Sequence, residues 1–182
     1  TGAISDFTRT LDLDPEDAES LYNRAGARMR GREWKEALSD LERACEMGIG
    51  EYEAYGRIFI WICHMQLGNK EVASRGLSGH LIPLQESAAG EWSTALIEYL
   101  VGKRSEEDLF AASEVVDEET RTDRLCEAWY YSGMKTLFHG DKQDATARFR
   151  KCIAIGKHDF FEHVSAKVEL ESLEGAVEST VR

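Results

Sequence analysis

Laid over one another, "AISDFTRTLDLDP" and "EALSDLERACEMG" fall into one register. Ala3 meets Ala37, Phe7 meets Leu41, Thr10 meets Ala44, and Leu13 meets Met47. The offset is constant, since 37 − 3, 41 − 7 and 44 − 10 all give 34. A fixed period of about 34 residues is the mark of successive helix–turn–helix pairs, none of which buries its apolar face alone. That interval restricts the chain to an all-α fold. The 2 prolines and 15 glycines among 182 residues agree, because a turn-rich β fold would use more of both.

The stretch "AESLYNRAGARMRGREWKEALSDLERACEMG" carries the pattern most fully. Leu21 is the large residue early in the first helix, and Ala25 is the small one that follows it. Ala37 and Ala44 flank the bulky Leu41 on the second helix, where close helix–helix approach demands short side chains. Gly31 falls in the turn between the two. This stretch resembles the tetratricopeptide repeat, and the resemblance implies an α-solenoid of antiparallel helix pairs stacked in a right-handed superhelix.

On that reading the chain is one helical domain over residues 1–182. Residues 1–15 are an orphan second helix whose partner lies upstream of residue 1, with "DLDP" (Asp12 to Pro15) as its exit turn. Residues 18–48 and 52–80 are repeats, the later one marked by Gly68, Ala73 and Leu77 with His80 in the last small position. Residues 88–113 are a degenerate helical pair that loses the period, in which Ser105 caps a short helix rich in early acids. The charged run Glu114 to Asp123 reads as a loop or linker. Residues 124–156 restore the period through Trp129, Gly133, Gly140, Ala145, Phe149 and Cys152. Residues 159–174 are a capping helix, which a stacked array needs at its end, and a frayed polar tail is expected beyond Glu174.

Between and after the repeats stand "EWSTALIEYLVGKRSEEDLF" and "GKHDFFEHVSAKVELESL". Trp92, the run Tyr99 to Ser105, the acidic-aromatic start Glu127 to Tyr131, and Asp159 to His163 together resemble the NlpI-type family of bacterial outer-membrane lipoproteins. The likeness covers roughly Ala18 to Leu173. It implies an all-helical adaptor, often homodimeric, that holds a protease and its substrate together in the periplasm. It also implies an envelope location, periplasm-facing and anchored through a segment upstream of residue 1. Without the resemblance a cytoplasmic location stands, and the scattered Cys45, Cys63, Cys126 and Cys152 incline to a reducing compartment.

Several function classes recede on composition. A formal net charge of −12 disfavours phosphate backbones and anionic membranes. The longest apolar run, "IFIWIC", is far shorter than a membrane helix needs, so direct insertion is not expected. The cysteines form no CxxC pair, and five positions separate His158 from His163, which on a helix puts them on different faces. With no phosphate loop or nucleophile elbow either, neither catalytic residues, cofactor nor metal is expected.

What remains is surface. In repeats of this type the first helices line a concave groove, and the resemblance places Tyr22, Asn23 and Met29 there, then Tyr55 and Phe59 with Ile58 and Ile62, then Tyr130, Tyr131 and Met134. Aromatic and Met side chains bury much area at modest entropic cost, so a protein or peptide partner is expected. The same residues serve equally as core if the middle helices fill the groove. A carboxylate clamp is set aside, because Asn23 alone matches and Tyr55 and Phe59 stand where cations are needed. The expected function is a non-catalytic interaction scaffold. The alternatives are a docking segment of a larger enzyme, or a homo-oligomerisation module, such as a homodimer formed through the Ile4, Phe7 and Leu11 stripe of the orphan helix.

Overall fold

The computed structural model describes residues 2–81 and 90–180, with side chains through residue 175, and every regular element among them is helical. Residues 88 and 89 of the expected degenerate pair lie outside the described residues. The chain divides into two compact units, Thr1–Ile97 and Glu98–Arg182.

The first unit holds α1 (Gly2–Leu13), α2 (Ala18–Arg30), α3 (Trp34–Met47), a single 3-10 turn at Gly50–Tyr52, α4 (Glu53–Gln66), α5 (Lys70–Gly79) and the start of α6 (Glu91–Leu100). Sequence neighbours are spatial neighbours: α1 packs on α2, α2 on α3, α3 on α4, and α4 on α5. Asp17 starts α2 by accepting from the Ser20 amide at 3.0 Å, satisfying a donor that the first turn cannot. Ala25, Ala37, Leu41 and Ala44, the periodic positions of the α2–α3 pair, are all fully buried. Gly56 lets α4 approach α3, since a Cβ there would stand 2.7 Å from Ile49 Cδ1 and 2.9 Å from Cys45 Sγ.

Periodicity reaches the backbone of the turns. Arg32, Gly68 and Gly140 take left-handed φ of 61°, 82° and 93°. Each precedes its pair's small residue by the same interval, as 37 − 32, 73 − 68 and 145 − 140 all give 5. The closing hydrogen bonds match too: Glu33 N to Arg28 O, Asn69 N to His64 O, and Asp141 N to Thr136 O. This is the Schellman helix exit, in which the residue after a left-handed turn satisfies a carbonyl of the last helical turn. Gly31 lies in the turn as expected, with a right-handed φ of −81°, and the left-handed position falls on Arg32. A side chain there is strained, so Arg32→Gly is expected to raise unfolding free energy by about 0.5–1 kcal/mol. Urea denaturation checks it.

One expectation about α1 is corrected. Leu11 is not exposed but joins Leu21, Ala44, Cys45 and Ile49 in a core cluster, because α1 lays that face on α2. Ile4 and Phe7 are half-buried.

The second unit comprises the end of α6, then α7 (Glu106–Ser113), α8 (Glu118–Phe138), α9 (Lys142–Ala154) and α10 (Phe161–Thr180). Ser105 caps α7 as expected, accepting from Asp108 N at 3.0 Å. The charged run Glu114 to Asp123 is not a linker throughout. Asp117 accepts from Thr120 N at 2.8 Å and starts α8 at Glu118, so six of the run's ten residues are helix. Its acids sit where a helix start favours negative charge. α9 folds back on α8, and α10 packs on both. Gly133 makes the α8–α9 contact possible: a Cβ there would lie 2.6 Å from Phe149 Cε1. α10 continues as helix to Thr180, past the expected end near Glu174.

Candidate binding surface

The expected groove residues separate into two sets. In the first unit, Tyr22 on α2 stacks on Phe59 of α4 with ring centroids 5.6 Å apart and planes 4° from parallel. On its other side it meets Tyr52 at 5.4 Å. The three rings form a ladder from the 3-10 turn across α2 to α4. Its inner end, Phe59, is buried, while Tyr52 is 43 % exposed at the other. Tyr22, Asn23 and Tyr55 are half-buried, and Met29 is core. Tyr52 escaped the sequence reading because it precedes α4, outside the helical positions counted there.

In the second unit the expected groove residues are not available to a partner. Tyr130, Tyr131 and Met134 are fully or almost fully buried, which corrects that part of the surface. The cause is α10. Tyr131 donates from its hydroxyl to Glu162 Oε1 at 2.8 Å, and Tyr130 meets the rings of Tyr131, Phe149 and Phe161 at 5.1, 6.1 and 6.3 Å. The C-terminal helix thus occupies the face of α8 that the resemblance assigned to a ligand.

The α8–α10 contact also holds buried acids, Glu127 on α8 and Glu162 and Glu169 on α10. The Glu162 carboxyl is pushed up to about 7 from its ordinary 4.5 by burial, partly offset by the Tyr131 hydrogen bond. Burial likewise raises Tyr130 well above 10. His163 is fully buried, and its Nε2 lies 3.3 Å from His158 Nδ1 with the rings at 84°. The sequence reading separated these two histidines by assuming a continuous helix. His158 instead sits in the turn after Gly156, whose φ of 83° reverses the chain, so the rings meet. Burial lowers the His163 pKa, with the charges of Lys167 and His158 acting in the same direction. Among the described residues no group of three or more His, Cys, Asp or Glu is arranged to hold a metal ion.

These shifts set a pH dependence. A carboxyl whose folded pKa lies above its unfolded one contributes stability below pH 4.5, and that contribution is lost as pH rises to about 7. His163 has the opposite sign, adding stability as pH rises through the imidazole range. The two overlap, so the informative quantity is a difference. Glu162→Gln is expected to gain thermal stability over the parent at pH 8 and lose that advantage at pH 4.5, which melting curves across pH would read.

A second network, absent from the sequence reading, ties the first unit together. Arg24 grips Asp40 with both ends of its guanidinium, Nε to Oδ2 at 2.8 Å and Nη2 to Oδ1 at 2.7 Å. Arg28 adds Nη1 to Asp40 Oδ2 at 2.5 Å, and Arg24 Nη1 reaches Thr8 Oγ1 at 3.2 Å. One carboxylate therefore joins α3 to α2, and through Arg24 to α1. A signal was present in the sequence: an acid at Asp40 interrupts the stripe Ala37, Leu41, Ala44, and two arginines stand one turn apart on the preceding helix.

No family model matches the chain. Among the described residues no helix is long and apolar enough to cross a membrane.

Proposed function

We propose that this chain is a tetratricopeptide-type α-solenoid and a non-catalytic scaffold that binds a protein or peptide segment through the Tyr22–Tyr52–Phe59 ladder, with Tyr55 and Asn23 beside it. The observation that carries the reading is the recurrence of one helix exit at Arg32, Gly68 and Gly140, five residues before a buried Ala37, Ala73 and Ala145. Sequential packing of α1 through α5 supports it as well, since stacked repeats interact chiefly with their neighbours. The ladder supports the binding half. Tyr22, Tyr52 and Tyr55 are the accessible rings, backed by the buried Phe59, and stiff aromatics of this kind suit peptide recognition because they bury area at low entropic cost. The NlpI-type resemblance belongs to the same proposal, and its adaptor role with it.

The test uses peptides selected from a displayed random library. Tyr52→Ala/Tyr55→Ala is expected to weaken the selected peptides at least about tenfold, the scale of one hot-spot residue, with an unchanged helical circular dichroism spectrum. A folded double variant of equal affinity, or a library that enriches nothing, contradicts the proposal.

A further inference from the structure

Cys126 and Cys152 lie outside the proposed binding surface, with Cys152 near the buried Glu162 and Tyr130. Cys126 lies in the first half of α8 and Cys152 near the end of α9, and the antiparallel pairing of those helices brings them together. Their sulfurs are 3.5 Å apart, in contact, and both side chains are fully buried. The Cys152 thiol is strongly raised by its hydrogen bond to Cys126 and by burial. A disulfide needs about 2.05 Å between sulfurs, so closure asks for a shift of about 1.5 Å, within what side-chain rotation at two facing cysteines supplies.

We propose that Cys126 and Cys152 are a disulfide site, a cross-helix dithiol that closes to a covalent staple between α8 and α9 when the chain folds in the presence of a small-molecule disulfide. In the first step one protein thiolate attacks glutathione disulfide, whose S–S bond breaks to release one glutathione thiolate. The second protein thiolate then attacks the mixed disulfide at the protein sulfur and expels the second glutathione. The two cysteines lose two electrons and two protons, and the oxidant leaves as two glutathione thiols. Burial and the raised thiol make the folded dithiol slow to react, so the bond forms during folding, before α10 covers the hairpin. This modifies the compartment argument drawn from sequence. Two of the four core cysteines are placed to pair, so a reduced environment is not required for them.

The test refolds the reduced chain from urea into buffer with oxidised glutathione in excess over reduced, followed by intact-mass and peptide mapping without reduction. The expected result is a loss of two mass units, a linked Cys126–Cys152 peptide, and a higher urea midpoint than the reduced chain, because the crosslink constrains the unfolded state. Cys126→Ala and Cys152→Ala, each checked for helical content, are expected to show no linked peptide and no gain in midpoint under oxidation. Four free thiols, glutathione adducts alone, or a bond involving Cys45 or Cys63 in place of this pair overturns the proposal.

Discussion

Asp40→Ala is expected to lower unfolding free energy by about 2–4 kcal/mol, the largest effect of any single polar substitution in the first unit. The side chains of Arg24, Arg28 and Asp40 are only 14 %, 19 % and 6 % exposed. Removing one partner of a buried ion pair typically costs about 3–5 kcal/mol, because the remaining charge is left desolvated and unpaired. The range is set lower here because both arginines keep a path to water. Two cations would then stand one turn apart on the same face of α2, with Thr8 Oγ1, Glu36 O and, at 3.9 Å, the Glu33 carboxylate as their remaining partners. A control separates lost pairing from lost packing. Arg24→Met/Arg28→Met/Asp40→Leu replaces the network with apolar groups of similar volume and is expected to recover most of the loss. Urea denaturation followed by circular dichroism reads both, and an Asp40→Ala chain as stable as the parent would show the network to be idle.

In the second unit Phe149→Ala should cost about 3–5 kcal/mol, the usual range for emptying a large buried ring. Phe149 is fully buried, sits over Gly133, and meets Tyr130. The opposite change tests the same contact. Gly133→Ala pushes a methyl to 2.6 Å from the ring and should cost about 1–3 kcal/mol by overpacking. Combining Gly133→Ala with Phe149→Leu should cost less than the sum of the two changes, because the smaller side chain leaves room for the methyl. Additivity within about 0.5 kcal/mol would mean the two residues do not share the space assigned to them.

How much of this was legible beforehand depended on whether a feature is local or depends on chain reversal. The small and bulky contact positions were readable, because Ala37 and Leu41 recur as Ala145 and Phe149 at the same spacing, and with Ala25 they sit in the core. Ser105 was readable because a cap is a contact over three residues. Asp117 has the same chemistry but was hidden in a charged run, where a helix start and a solvated loop look alike. Gly31 was readable as a turn residue, whereas the left-handed backbone at Arg32 was not, because nothing in an arginine marks that conformation. His158 and His163, and the sulfurs of Cys126 and Cys152, meet only because turns return the chain on itself, which no helical periodicity encodes. The burial of Tyr130 and Tyr131 belongs to the same class. It requires knowing that α10 lies against α8, whereas the sequence placed α10 only as a cap at the end of the array.

The candidate surface was legible in part for the same reason. Tyr22 and Phe59 were placed by repeat position and do meet, 5.6 Å apart. Tyr52 completes their ladder from a turn that lies between helices.

The central claim is that each unit is held together locally, by helices packed on their sequence neighbours at recurring contact positions. Hydrogen exchange read by mass spectrometry on Phe149→Ala tests it most directly. The account predicts faster exchange in peptides from α8, α9 and α10, with those of α1 to α4 unchanged from the parent. Equal acceleration in every helix of the chain would mark a single cooperative bundle and contradict it.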